Sequence, residues 1–133
     1  MAEAGRARIA LINDDTAFLE LMRELLADSE GHEVLVCREG DRAYAFVKEQ
    51  QPDLVILDIR MGGEEVGWTL LELLTLDPQT RPIPLIVCSA AIRELQDHAE
   101  LLEKFAVEVL PKPFDLEVLL EKVETALAKH GRG

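Results

Sequence analysis

Four apolar runs in this chain each lead to a side chain able to do chemistry. Asp14-Asp15 follows Ile9-Ala10-Leu11-Ile12-Asn13, Asp58 closes Leu54-Val55-Ile56-Leu57, Ser89 follows Leu85-Ile86-Val87-Cys88, and Lys112 comes just after Val107-Glu108-Val109-Leu110. Short unbroken runs rich in branched residues suit strands covered on both faces. In open α/β sheets ligands bind beyond the carboxyl ends of the strands, so these side chains are expected along one edge. Three carboxylates gathered there repel one another unless a cation sits among them. Asp14, Asp15 and Asp58 therefore predict a hard divalent ion, most simply magnesium. Magnesium keeps several of its waters, which leaves room for a phosphoryl oxygen. The Lys112 ammonium can neutralise such a group, and the Ser89 hydroxyl can hydrogen-bond another of its oxygens. In that company Asp58 is equipped to accept a phosphoryl group. Singly, each residue has a plainer role: paired aspartates cap helices, Ser and Asp close turns, and a lysine before proline is solvated. Their joint arrival at strand ends is what favours chemistry.

The elements that must position these residues follow from periodicity. Arg8–Asn13 reads as a first strand, and Phe18, Leu19, Leu21, Met22, Leu25 and Leu26 recur at helical spacing up to Gly31, with Thr16 as the predicted N-cap. His32–Cys37 is a second strand, near an edge, and Asp41–Gln50 a second helix that Pro52 ends. The central strand Asp53–Asp58 leads into a loop with Gly62-Gly63. A third helix containing Trp68, Leu70, Leu71, Leu73 and Leu74 fades before Asp77-Pro78. Leu85–Cys88, a single charged helix from Arg93 to Lys104, a strand over Ala106–Leu110 and a last helix from Asp115 to Ala128 complete the chain. Five strands alternating with five helices predict an α/β fold, a parallel sheet joined by right-handed crossovers with helices on both faces.

Composition narrows the possibilities further. The length of 133 residues fits one domain over 1–133, with residues 1–7 expected to be flexible and no output domain. With 26 acidic against 14 basic residues and a formal net charge of −12, neither nucleic acid nor an anionic membrane is expected as the main partner. Cys37 and Cys88 lie inside strand-like runs and read as buried packing residues in a reducing compartment. The sequence has neither an apolar stretch of about 20 residues nor the apolar centre of a signal peptide, so a cytoplasmic protein is expected. Trp68 and Tyr44 read as packing aromatics, and His32, His98 and His130 as surface residues.

With Asp14-Asp15 after a strand, Asp58 closing Leu54–Leu57, Met61 three places on, Ser89-Ala90, and Lys112-Pro113-Phe114, the chain resembles the receiver domain of two-component response regulators over essentially its whole length. The resemblance implies a flavodoxin-like, doubly wound five-stranded parallel sheet in the order 2-1-3-4-5. It implies magnesium-dependent transfer of a phosphoryl group to Asp58 from a histidine kinase or a histidine phosphotransfer protein, and signalling to an unidentified downstream protein. Asp15, Asp58 and the backbone carbonyl of Arg60 would ligate the metal, with Asp14 acting through water. Ser89 and Lys112 would bind phosphoryl oxygens, and the Lys112-Pro113 bond would be cis. Self-phosphorylation from a phosphodonor and self-dephosphorylation are implied, without turnover of a separate substrate.

Three positions depart from the family pattern. Val109 stands where an aromatic ring usually couples to the Ser/Thr loop at Ser89. Gly62 replaces a common proline, and Gly67, the glycine expected to open the third helix, comes one place late. Phe105 replaces a frequent glycine before the fifth strand. The first and third motivate an alternative, a receiver-like docking module whose binding ignores phosphorylation. A third reading, a haloacid-dehalogenase-type phosphatase, needs an acidic residue two places after the nucleophile, and Arg60 occupies that place.

Overall fold

The computed structural model describes residues 7–59, 64–89, 92–105, 107–112 and 115–130. Its strands are β1 (Arg8–Ile12), β2 (Glu33–Cys37), β3 (Leu54–Asp58), β4 (Leu85–Ser89) and β5 (Glu108–Pro111), in the order β2-β1-β3-β4-β5 and parallel at every pairing. This is the doubly wound, flavodoxin-like sheet the resemblance implied. Alternation along each strand sends successive side chains to opposite faces. Ile12, Val55, Leu57, Leu85 and Val87 form one core with Ala43, Val47, Leu71 and Leu74. Ile9, Leu11, Ile56, Ile86, Cys88 and Leu110 form the other with Leu19, Met22, Leu119 and Val123. Both cysteines are buried and unbridged. Among the described residues no helix is long and apolar enough to cross a membrane.

The described residues form six α-helices rather than five: α1 (Thr16–Arg23), α2 (Gly40–Gln50), α3 (Glu64–Leu76), α4 (Ile92–Asp97), α5 (Ala99–Lys104) and α6 (Leu116–His130). α1 runs on as a π-helix over Glu24–Ser29 before Gly31 turns the chain at φ +80°. The single helix predicted for Arg93 to Lys104 is two, parted at His98, whose backbone lies at φ −108° and ψ 19°. The His98 ring is stacked on Trp68, with centroids 3.8 Å apart and planes 11° from parallel. Neither Gly nor Pro marks that break, and the contact accompanying it is tertiary. His98 is therefore half-buried rather than a surface residue. His32 is buried as well, its Nδ1 accepting from the backbone N–H of Ala7 at 2.9 Å. Ala7, placed by the sequence in a flexible start, is held there. Residues 1–6, the rest of that start, lie outside the described residues.

Two features fix α3. Gly67 does not open it, since the helix begins at Glu64. Gly67 instead lets α3 close onto the residue after Asp58, because a Cβ there would stand 1.8 Å from the Ile59 carbonyl oxygen. At the far end, Asp77 joins α3 to α2. It accepts from the Tyr44 hydroxyl and from the backbone N–H of Gln79 and pairs with Lys48 Nζ at 3.1 Å. The Tyr44 bond, then the Gln79 bond, then Lys48 hold the Asp77 carboxyl down at about 2, while the same carboxylate raises the Tyr44 and Lys48 values.

Two outcomes are expected. A glycine-to-alanine change inside a helix normally gains about 1 kcal/mol in propensity, whereas forcing a methyl into a filled space costs about 1–3 kcal/mol. With backbone as the obstacle the second effect dominates, so Gly67→Ala should lower the urea midpoint of unfolding, and a raised midpoint would show that α3 can lift off Ile59. Asp77 has a folded-state value below its ordinary 3.8, so its stabilisation is present above that pH and is lost as pH falls toward about 2. Unfolding free energies measured across that window should fall less steeply in Asp77→Asn than in the wild type.

Candidate functional site

Strand register builds the site. Ile12 pairs with Leu57, Asp58 with Cys88, Cys88 with Leu110, and Ser89 with Pro111. The carboxyl ends of β1, β3, β4 and β5 thus finish nearly level, which puts Asp14-Asp15, Asp58, Ser89 and Lys112 along one edge of the sheet. Asp58 continues the face of Leu54 and Ile56, toward α1 and α6. Neighbouring strands lie about 4.8 Å apart, so β5 stands about 10 Å from β3 with β4 between them. Lys112 crosses that gap, and its Nζ lies 3.5 Å from Asp58 Oδ2, with the Asp58 side chain 13% and the Lys112 side chain 31% exposed.

Beneath this pair sits Cys88, 1% exposed. Burial pushes its thiol up to about 12, with Lys112 pulling the value down and Asp58 pushing it up. The thiol is thus held neutral, which suits a packing role and not a redox one. On the other side the Lys112 ammonium lies 5.7 Å from the centroid of the Phe18 ring, within range of a cation–π contact. Sequence reasoning placed Phe18 only in the apolar stripe of α1. Its position three residues after Asp15, in the first turn of α1, is the signal that sets it beside the strand ends.

Asp15, not Thr16, caps α1: its Oδ1 accepts from the Phe18 backbone N–H at 3.3 Å. Both residue types cap helices, and the turn decides between them. Asn13, 2% exposed, accepts the Asp15 N–H on its Oδ1 at 2.8 Å, closing an Asx-type turn ahead of the helix. Asn13 was missed as a site-shaping residue, although Asn followed by two aspartates after a strand is a recognisable turn signature. Arg38, beyond β2, donates to the Asp14 carbonyl at 3.3 Å and to Thr16 Oγ1 at 2.9 Å, which steadies the same turn.

The structure therefore brings Asp58 and Lys112 into contact and leaves Asp14 and Asp15 exposed on the turn at the end of β1. Among the described residues no three His, Cys, Asp or Glu side chains form a group that could hold a metal. In this arrangement Asp15 Oδ1 is turned to the first turn of its own helix. The remaining donors, carboxylate oxygens on neighbouring strand ends, are hard ligands and fit a dication that keeps most of its water. Arg60, Met61, the Gly62-Gly63 loop, Ala90, Ala106, Pro113 and Phe114 lie outside the described residues, as does the side chain of Ser89. Val109 is half-buried and packs on the core that includes Leu95 and Leu102.

Comparison with known proteins agrees with this geometry. The transcriptional regulatory protein CpxR of Klebsiella pneumoniae is 36% identical over 92% of this chain, which spans 50% of that relative's length. Protein PilH of Pseudomonas aeruginosa is 31% identical over 92% of this chain and 98% of its own. Among solved structures, the signal receiver domain of a histidine kinase from Syntrophus aciditrophicus superposes with a TM-score of 0.80 at 26% identity, covering 96% of this chain and 94% of its own. The receiver domain of a sensor histidine kinase from Pseudomonas aeruginosa PAO1, which has magnesium coordinated in its active-site cleft, shares the fold with a TM-score of 0.74 at 21% identity, covering 92% of this chain and 98% of its own. The sequence pattern of the response regulator receiver domain matches residues 9–124, and with the sheet order and the Asp58–Lys112 edge in place the chain belongs to that family of two-component signalling domains.

Proposed function

We propose that Asp58 accepts a phosphoryl group from the phosphohistidine of a histidine kinase or phosphotransfer protein, and that the phosphorylated chain signals through contacts with another protein. The observation that carries this reading is the 3.5 Å pairing of Asp58 with Lys112 over the end of β4. In the transfer the donor's P–N bond breaks, its electron pair stays with the imidazole, and a new P–O bond forms at an Asp58 carboxylate oxygen. Lys112, already beside that carboxylate, can shift its charge onto an incoming phosphoryl oxygen with little reorganisation. Phe18 presents its ring face to the ammonium on the α1 side. Ser89, whose strand position falls one residue beyond the Asp58–Cys88 pair, is assigned a hydrogen bond to a second phosphoryl oxygen.

Asp15 and Asp58 are assigned to hold a magnesium ion together with the Arg60 carbonyl, with Asp14 acting through water. When bound, that ion would offset the negative charge of carboxylate and phosphoryl oxygens brought together. The magnesium in the Pseudomonas receiver domain and the hard oxygen donors here support this assignment. Partners are proteins and not nucleic acid or membrane, in keeping with the net charge of −12. The proposed location is the cytoplasm, and self-phosphorylation from a small phosphodonor and self-dephosphorylation belong to the same reading.

Intact-protein mass spectrometry after incubation with acetyl phosphate and magnesium tests it. The wild type should gain one phosphoryl group, Asp58→Asn none, and the wild type with a chelator none. Lys112→Ala, folded by circular dichroism, should be phosphorylated about 10²–10³-fold more slowly, the loss expected for one preorganised charged donor. A wild type without the gain, or an Asp58→Asn variant that keeps it, would refute the assignment.

A further inference from the structure

We infer that the Trp68–His98 stack carries the state of Asp58 to the junction of α4 and α5, a role that Val109 has no ring to fill. The inference rests on the reading of Asp58 as phosphoryl acceptor and adds the route by which that event reaches a surface.

The route is contiguous. Ile59, next to Asp58, is fully buried and donates its N–H to the Cys88 carbonyl at 3.2 Å. Its own carbonyl abuts Gly67 so closely that no Cβ could be accommodated there. A close-packed contact of this kind has no slack, so a displacement at Ile59 must be followed by this turn of α3. Trp68 is the next residue. It is 8% exposed, lies in the core beneath α3 with Leu95 and Leu102, and its ring meets His98 face to face at 3.8 Å.

His98 is the residue at which the helix breaks. Its ring rests on Trp68 while its carbonyl accepts the Leu102 N–H at 3.1 Å, so the stack sits where α4 ends and α5 begins. Among the described residues, Trp68 Nε1 is also the buried side-chain nitrogen with no hydrogen-bond partner. Buried donors are nearly always satisfied, and an orphan is a candidate strain reservoir. The stacked arrangement thus leaves a buried donor unsatisfied, and a shift of α3 that gives the indole N–H an acceptor would favour an unstacked one. Two discrete arrangements of a packed element are what transmission between separated sites requires. In the unphosphorylated chain the rings are stacked. Phosphorylation separates them and loosens the α4–α5 junction.

Trp68 is the one tryptophan of the chain, so its emission reports the stack directly. The test follows that emission together with amide hydrogen exchange over residues 92–104, before and after acetyl phosphate and magnesium, with intact mass recorded in parallel. The wild type should gain the phosphoryl group, change its Trp68 emission, and exchange at least about fivefold faster over 92–104, the lower end of ordinary coupling between sites. His98→Leu should gain the phosphoryl group without that exchange response, and His98→Phe, which keeps a ring to stack, should restore it. A phosphorylated wild type with unchanged emission and exchange overturns the relay alone and leaves Asp58 as acceptor, and the wild type decides this even if a variant fails to fold. A His98→Leu variant that responds like the wild type also overturns it. Absence of the mass gain in the wild type overturns both.

Discussion

A lysine that must neutralise a carboxylate two strands away is the constraint on which the rest of this molecule depends. Asp58 and Lys112 meet only because β3, β4 and β5 run parallel and in register, so that the rows Asp58–Cys88 and Cys88–Leu110 finish together. A slip of one residue in either pairing would turn the outgoing side chains to the opposite face. The register is held by apolar side chains on both faces of the sheet, among them Ile56, Leu57, Ile86 and Val87, all at most 2% exposed. The buried core is therefore not separate from the chemistry: it fixes the distance between two charges.

The same logic explains what surrounds the pair. Cys88 lies on the strand between those of Asp58 and Lys112 with a side chain that burial keeps uncharged, so it adds no charge of its own. Phe18 offers the ammonium a ring face on the α1 side. The Asn13–Asp15 turn, braced by Arg38, sets two further carboxylates at the end of β1 without burying them. On the other face Gly67 allows α3 to rest against Ile59, so the residue next to Asp58 is held against a helix.

Much of this was legible in the sequence because it depends on local pattern. Apolar runs of strand length ending on Asp58, Ser89 and beside Lys112 specified the sheet edge, and the alternation of strands with amphipathic helices specified a doubly wound topology. Less legible were features decided by residues far apart in the chain. His32 is buried because its Nδ1 receives the Ala7 N–H, and Tyr44 is bonded because Asp77 of the neighbouring helix end comes to it. The break at His98 has no Gly or Pro to announce it and is marked by stacking on Trp68, 30 positions earlier. The choice of Asp15 over Thr16 as cap turns on the Asn13 turn before it, and propensity alone treats the two residues as near equals.

The central claim is that one carboxylate of this edge, Asp58, is the atom donor in a new bond to phosphorus. It is tested most directly by locating the bond. An acyl phosphate is reduced by borohydride to an alcohol, whereas an unmodified carboxylate is not, so peptide mass mapping after reduction marks the residue that carried it. The reduced residue should be at position 58 and at neither Asp14 nor Asp15. A reduced residue at either of those two, with position 58 untouched, would contradict it.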